Sequence, residues 1–183
     1  MKSIIYKIEF FTYWHIGSGI TGGTYADNLV LKDSNNLPYI PGRTMKGLFR
    51  EASEEIARLN KEMISSKEVE IIFGKREGHG MQDESCAFFK DAVISRSLAE
   101  KILENSQQET LYEVISSTKI DLNGLADDGS LRQMEVTVPL TLFGTIVLFK
   151  DVAPHLLTQS VNWVKSLGLN RNRGLGRCQI SIL

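Results

Sequence analysis

The chain has 183 residues, 42% of them hydrophobic and 23% charged, and its formal net charge at pH 7 is -1. These values fit a single large globular domain. They exclude a uniformly basic nucleic-acid-binding protein, so any site for a polyanion must come from local clusters. No apolar run reaches the length of a membrane span, and we expect no membrane partner.

The two cysteines, Cys86 and Cys178, are far apart and each begins an apolar run. This placement is typical of small buried residues. With no signal-peptide pattern in the sequence, the cysteine usage favours a reduced, cytoplasmic protein.

A strand followed by a glycine-rich loop is predicted at the start of the chain. Residues 3–13 alternate and are rich in aromatic and β-branched side chains, which predicts a strand with at least one buried face. The first glycine loop, residues 14–23, has four glycines in seven residues, which lets the backbone come close to a ligand. It matches neither a P-loop nor a dinucleotide fingerprint, and a plain hairpin loop is the alternative.

The most informative pattern lies in residues 28–50. A short alternating run ends in a polar turn at residues 33–36. Pro41 and Gly42 then predict a turn just before a helix. Apolar residues at helical spacing extend this helix over residues 44–62.

A basic stripe marks the beginning of that helix, and it consists of Arg43, Lys46 and Arg50. These residues fall on one side of the first two turns, and free N–H groups at a helix start suit a phosphate chain. Three ordinary surface charges are the alternative. Gly47 lies between them and is costly in a helix, which we interpret as the approach of something large to the backbone.

The middle of the chain is predicted to alternate helices and extended segments. The pattern indicates a helix over 67–73, a strand over 86–95, a helix over 96–105 capped by Ser95, and an extended segment over 109–119. Two turn signals in residues 120–132 predict a protruding hairpin. Residues 133–150 read as one long central strand, bent near Pro139.

A helix over residues 153–167 and a last strand over 178–183 complete the prediction. Between them lies the C-terminal glycine loop, residues 169–177, in which three arginines alternate with small, flexible residues. It is the densest positive patch in the sequence. Guanidinium groups and backbone N–H groups at such a loop are suited to bind phosphate.

The order of elements predicts an α+β fold with the βαββαβ arrangement of ferredoxin-like and RNA-recognition domains. We expect one domain over residues 1–183, with insertions at about 63–85 and 96–132. The two glycine loops follow the first strand and precede the last. We therefore expect these loops and the basic stripe to meet at one edge of the sheet.

Several motifs resemble the RAMP superfamily of CRISPR-associated proteins. The sequence IPGRTMKGLFR at residues 40–50 resembles the signature IPGSSLKGxLR of that superfamily. Further resemblances, in the family's order, are HIGSG at 15–19, IIFG at 71–74, FFKDAVIS at 88–95, the hairpin segment at 120–139 and NRNRGLGRCQI at 170–180. The likeness covers nearly the whole chain and is greatest for the repeated backbone subunit of type III interference complexes.

This resemblance implies an RNA-recognition core decorated with a thumb hairpin. It implies partners as well: a CRISPR guide RNA, a complementary target RNA, further copies of the chain and other effector subunits. The family's backbone subunits cut target RNA once every six nucleotides, using an aspartate that matches Asp27 here, and Asp33 is assigned to the turn. A backbone-bonding turn residue is the alternative for Asp27. A divalent metal ion, magnesium or manganese, is an expected cofactor for this cleavage.

The resemblance also assigns residues to RNA. Phosphate contacts matter most for a guide of variable sequence. The expected guide-binding set is His15, Gly17, Gly19, Arg43, Lys46, Arg50, Arg132, Arg171, Arg173, Gly174, Gly176 and Arg177. Leu122, Leu125 and Leu131 are the expected apolar wedge of the thumb, with a merely mobile hairpin tip as the alternative.

Three competing functions remain open at this point. One is a non-catalytic capping or structural subunit of the same complexes. The second is a guide-processing endoribonuclease of the same superfamily, with His15 as general base, although such enzymes usually carry two ferredoxin-like halves. The third is a single-strand RNA binder unrelated to CRISPR.

Overall fold

A computed structural model describes residues 2–59, 65–75, 85–121, 123–150 and 155–183. Its strands are β1 (Lys2–Phe10), β2 (Tyr39–Ile40), β3 (Ala87–Phe89), β4 (Ala92–Val93), β5 (Tyr112–Ser117), β6 (Arg132–Thr137), β7 (Thr141–Leu148) and β8 (Cys178–Ile182). Its helices are α1 (Gly42–Leu59), α2 (Ser66–Phe73), α3 (Arg96–Glu104) and α4 (His155–Trp163). None of the described helices is long and apolar enough to cross a bilayer.

The central sheet has β1 in its interior. β1 pairs antiparallel with β7 on one side and with β8 on the other. β3 and β4 pair with β7 on its far side, and β2 continues the sheet from β4. The four strands of a βαββαβ fold lie in the order fourth, first, third, second. Here β8, β1 and β7 take the first three of these places, and β3 with β4 takes the last. The predicted α+β fold is therefore confirmed.

One face of the central sheet is buried against helices. Along β1, Ile4, Tyr6, Ile8 and Phe10 are buried, whereas Ile5 on the opposite face is half exposed. The ring of Phe49 on α1 meets Tyr6 edge to face, with the ring centroids 5.4 Å apart. Each buried aromatic side chain of this kind contributes about 2 kcal/mol through removal of apolar surface from water. We call this sheet, with α1 and α4, the palm.

The long run at residues 133–150 is two strands rather than the single bent strand predicted. β6 pairs with β5 in a separate two-stranded sheet, and β7 joins the palm. The chain changes sheet at residues 138–140, where Val138 donates its N–H to Leu111 and Pro139 has none to donate. We call residues 112–137, which include β5 and β6, the thumb hairpin.

Other predicted elements are shifted or shortened. The strand predicted over 86–95 is broken into β3 and β4 at Lys90 and Asp91. α4 ends at Trp163, because the following residues bond the C-terminal glycine loop instead, with Leu167 donating to Gly176 at 3.0 Å. The helices predicted over 67–73 and 96–105 are present, and the Ser95 side chain caps the second one as predicted.

Some predictions lie outside the described residues. They are Leu122, the end of the first helix at residues 60–62, the start of the last helix at residues 153–154, and residues 63–64 and 76–84 of the insertion expected at 63–85. Both cysteines are buried, as predicted. Burial raises the pKa of the Cys178 thiol to about 12, so this side chain stays uncharged and unreactive at neutral pH.

A close contact between α1 and the strand β3 fixes the beginning of α1. Gly42 donates its N–H to Oδ1 of Asp91 at 2.7 Å, which satisfies one of the free donors of the helix start. A Cβ atom at Gly42 would lie 1.9 Å from the carbonyl oxygen of Phe89. Glycine is therefore required here by space, and the helix start already carries a carboxylate where the sequence suggested a phosphate.

We expect Gly42→Ala to destabilise the protein by about 3 kcal/mol, because the new Cβ overlaps backbone that cannot yield easily. The melting temperature should fall by about 10 °C in a thermal unfolding scan. Gly47→Ala is the matched control in the same helix, since nothing lies within 4 Å of the added Cβ. It should instead stabilise by about 1 kcal/mol. Equal losses of stability in Gly42→Ala and Gly47→Ala would contradict the conclusion that space requires glycine at position 42.

Candidate functional site

The two glycine loops lie against each other, as predicted. The N–H of Leu169 donates to the carbonyl of His15 at 2.9 Å, and the N–H of Gly176 donates to the carbonyl of Tyr13 at 2.7 Å. Gly176 has a φ of +69°, and a Cβ there would lie 1.9 Å from the carbonyl oxygen of Leu167. Only glycine allows the backbone of residue 176 to lie this close to Leu167. The hydrogen bonds to Tyr13 and His15 hold the C-terminal glycine loop against the segment that follows β1.

The base of the thumb hairpin is bonded to the segment that follows β1. Trp14 and Thr137 exchange two backbone hydrogen bonds, of 3.1 and 2.8 Å. Further along β6, Glu135 donates its N–H to the carbonyl of Asn28 at 3.0 Å. The Trp14 indole Nε1–H donates to the carbonyl of Val138, and its ring stacks on Phe10 of the palm. The two glycine loops and the thumb base are thus joined by backbone hydrogen bonds into one unit.

Asp27 is held at this thumb base. Its side chain is exposed, and its Oδ2 accepts the N–H of Gln133 at 2.8 Å. The Asp27 N–H in turn donates to the Gln133 carbonyl at 2.8 Å. Among the described residues Oδ1 has no hydrogen-bond partner, so one oxygen fixes the carboxylate and the other is available. Arg132, next to Gln133, is also exposed.

Asp33 has the turn role expected for it. Its Oδ1 accepts the N–H groups of Asn35 and Leu37, both at 2.8 Å. Such side-chain bonds to following backbone groups stabilise a tight turn. The two aspartates of this segment therefore have different surroundings, and of the two only Asp27 is hydrogen-bonded to the thumb hairpin.

The described residues do not form a site for the expected magnesium or manganese ion. No group of three or more His, Cys, Asp or Glu side chains in this part of the chain is placed to hold a metal. Divalent cations of this kind need several oxygen ligands, and Asp27 brings one free carboxylate oxygen.

His15 lies under the first glycine loop rather than on its surface. It is buried, and its Nδ1 lies 2.7 Å from the carbonyl oxygen of Glu135. Because a carbonyl only accepts, Nδ1 carries the hydrogen. Nε2 is buried without a hydrogen-bond partner among the described atoms, beneath Gly17, where an added Cβ would lie 3.3 Å away. His15 supports the loop that presents Gly17 and the exposed Gly19.

The arginines of the C-terminal glycine loop face solvent. Arg171, Arg173 and Arg177 are exposed, as is Gly174, and none of these arginines has an ion-pair partner in the described part of the chain. A short helical turn over residues 171–173 is bounded by left-handed residues at Asn170 and Gly174. The two guanidinium groups on this turn, and that of Arg177 four residues further along, are exposed donors suited to bind anions.

The basic stripe is divided in the structure and does not join the loops. Arg50 donates from Nε to Glu54 at 2.9 Å and from Nη2 to the Gly74 carbonyl at 2.8 Å. Its side chain is 17% exposed, so it holds α1 to the end of α2. On the other flank of α1, Leu48 and Glu51 line a cavity with Arg171. The prediction that stripe and loops share one edge is therefore wrong.

The remaining two residues of the stripe differ in exposure. Arg43 is exposed, whereas Lys46 is half-buried. Burial, followed by the positive charge of Arg50, lowers the pKa of the Lys46 ammonium group. Arg43 is therefore the member of the stripe best able to reach an anion.

The far end of the thumb hairpin exposes apolar side chains. Leu125 and Leu131 are 67% and 63% exposed, as expected for a wedge, and Ile120 is 57% exposed and was not predicted. The turn beneath them is held by Asp121, whose Oδ1 accepts the N–H groups of Asn123 and Leu125 at 2.8 Å each. A shaped apolar tip of this kind is suited to contact nucleobases.

A buried ion pair at the thumb base was missed by the sequence analysis. Glu135 is 2% exposed, and its Oε1 lies 2.8 Å from the Lys32 ammonium nitrogen. Its Oε2 accepts the N–H of Val30 at 3.0 Å. The same ammonium lies 3.8 Å from the ring centroid of Tyr112 on β5. In the sequence Glu135 alternates with Met134 and Val136, in line with Gln133 and Thr137, so nothing there indicates its burial.

Comparisons with known proteins agree with this architecture. The model of the RAMP superfamily matches residues 7–179. A chain in the cryo-EM structure of Type III-B Cmr-beta bound to cognate target RNA has a TM-score of 0.74 at 12% identity, over 100% of this chain and 97% of that one. A chain in the structure of the Type III-B Cmr-beta apo state gives 0.74 at 13% identity, over 99% and 97%. No curated protein sequence matches significantly.

Proposed function

The chain belongs to the RAMP superfamily, and from this premise we propose that it is a guide-RNA-binding backbone subunit of a cytoplasmic type III CRISPR effector complex that cleaves complementary target RNA. One observation carries the proposal. The C-terminal glycine loop, Asp27 and the thumb hairpin are joined by hydrogen bonds through the segment that follows β1.

Guide binding is assigned to the C-terminal glycine loop. The exposed arginines Arg171, Arg173 and Arg177 bind the phosphates of a single strand, which needs no particular base sequence. Arg43 and Arg132 extend this contact at exposed positions. The paired bases of the guide then select the target, as in other RNA-guided effectors.

Target cleavage is assigned to Asp27. The exposed leucines of the thumb displace a base of the target strand, and the splayed strand aligns a 2′-hydroxyl with the adjacent phosphate. The Asp27 carboxylate takes the proton of that hydroxyl. The 2′-oxygen then bonds to phosphorus as the bond to the 5′-oxygen breaks, and a solvent proton goes to that 5′-oxygen. The products end in a 2′,3′-cyclic phosphate and a 5′-hydroxyl.

One observation favours a second candidate, a non-catalytic capping or structural subunit of such a complex. The Asp27 carboxylate already accepts the N–H of Gln133 at 2.8 Å. This bond gives Asp27 a structural use that requires no chemistry. In that case the chain binds the guide and leaves the target intact.

The proposal is tested by expressing the chain together with the remaining effector subunits and a matching CRISPR array. We expect RNA extracted from the purified complex to form discrete bands on a denaturing gel, and labelled target RNA to be cut at six-nucleotide spacing. Discrete guide bands with an uncut target would support the non-catalytic candidate. A featureless smear, or no RNA, would contradict the guide-binding function itself.

A further inference from the structure

The ion pair between Lys32 and Glu135 lies at the point where the thumb hairpin meets the chain segment after the first glycine loop. We propose that Glu135, held by Lys32, is a positioning residue that fixes the orientation of the thumb hairpin relative to the palm. We further infer that the orientation of the thumb hairpin determines which target nucleotide is cut, and this second step rests on the proposed function.

Both strands of the thumb hairpin are bound to the same short segment, residues 30–36. On β6, the Glu135 carboxylate accepts from Val30 and pairs with Lys32. On β5, the ring of Tyr112 lies under the Lys32 ammonium, and its hydroxyl donates to the Asn36 carbonyl at 2.8 Å. Cation–π contact and ion pairing thus place one ammonium between the two strands.

The thumb hairpin depends on such contacts because a two-stranded sheet is marginally stable alone. The bonds that orient Asp27 come from Gln133, two residues before Glu135 on β6. A rotation of β6 about its contact with residues 30–36 therefore moves the Gln133 N–H that fixes the Asp27 carboxylate. The orientation of the hairpin and the placement of Asp27 are coupled through this one strand.

Burial makes the pair sensitive to loss of one partner. Glu135 is 2% exposed, and a buried carboxylate without its counter-charge is strongly disfavoured. In Lys32→Met we therefore expect β6 to shift until water reaches the carboxylate. The double variant Lys32→Met with Glu135→Gln leaves no buried charge. It also lacks the ion pair and the contact of the ammonium with the Tyr112 ring.

The orientation is measured without RNA. Spin labels on Leu125→Cys in the thumb hairpin and Glu51→Cys on α1 report the distance between them by pulsed electron paramagnetic resonance. Both positions are exposed, whereas the native cysteines are buried, and the chain without added cysteines gives the background. We expect a broadened or displaced distance distribution for Lys32→Met and for the double variant. Lys32→Arg should keep the original one.

Lys7→Met is the matched control, because Lys7 forms an ion pair of 3.0 Å with Glu9 on the palm, away from the thumb base. Its distance distribution should equal that of the parent. Thermal unfolding identifies variants that fail to fold, and the double variant then decides the result because it buries no unpaired charge. A folded double variant with an unchanged distribution would overturn the proposal.

The same variants are then assembled with guide RNA, and target cuts are mapped to single nucleotides. We expect cutting at the principal nucleotide to slow by about 100-fold, since misplacement of about 1 Å costs this much, with new cuts at its neighbours. General destabilisation would lower all cuts without moving them. A displaced hairpin with unmoved cuts would overturn the positioning role in cleavage. A parent complex that does not cut would refute the proposed cleavage. The spin-label distances would then still test whether Glu135 and Lys32 fix the orientation of the thumb hairpin.

Discussion

Replacing Asp27 by asparagine is expected to lower target-RNA cleavage by about 100-fold or more, which is the usual contribution of a positioned general base. The asparagine oxygen still accepts the Gln133 N–H that Asp27 accepts at 2.8 Å. The amide, however, cannot take up a proton near neutral pH. Single-turnover cleavage of labelled target by the assembled complex measures the change, and guide content should stay the same.

Asp33→Asn is the matched control for this substitution. It removes an acid from the same segment, and the asparagine oxygen still accepts the N–H groups of Asn35 and Leu37. Cleavage should be unchanged. Asp27→Ala should lose the bond to Gln133 as well, which costs about 1 kcal/mol of stability. Normal cleavage by Asp27→Asn would exclude the catalytic role and leave the non-catalytic subunit.

A triple substitution of Arg171, Arg173 and Arg177 by alanine should remove most guide binding. Each unpaired arginine that contacts one phosphate of a single strand contributes about 0.7 to the slope of log affinity against log salt concentration. Loss of three contacts should lower this slope by about 2. We expect the affinity for a guide-length RNA to fall by about 100-fold or more at moderate salt, measured by fluorescence anisotropy over a salt series.

The control for this prediction keeps the same change in charge. Arg58, Lys67 and Lys101 are exposed on three different helices, outside the glycine loops in the sequence. Their triple substitution by alanine alters the net charge equally. It should leave the slope nearly unchanged. Equal losses from the two triple variants would show that binding follows the overall charge rather than a site on the C-terminal glycine loop.

Local patterns predicted the elements of the fold better than their pairing. Periodicity and turn residues located the helices and most strand segments, and their order gave the correct fold. The division at residues 138–140 was not predictable, because residues 133–137 and 141–148 have similar β-branched composition. Their separation depends on a bond from Val138 to Leu111, which is distant in sequence. Pairing of this kind is decided by tertiary contacts rather than propensity.

Contacts between residues distant in sequence also limited the prediction of the candidate site. The exposed arginines of the C-terminal glycine loop were identified because glycine and arginine alternate there within a few residues. The contact of Arg50 was not foreseen because its acceptor, the Gly74 carbonyl, is 24 residues away. Glu135 was missed because its partners Val30 and Lys32 lie 105 and 103 residues earlier. A sequence shows which side chains carry charge, whereas the fold determines which charges are already neutralised.

The interior position of β1 has a consequence for synthesis on the ribosome. β1 is translated long before its neighbours β7 and β8, which are residues 141–148 and 178–182. Its backbone groups cannot enter the sheet until those segments have emerged. Such long sequence separations slow folding. We expect the palm to form late and the nascent chain to depend on chaperones that cover an apolar strand.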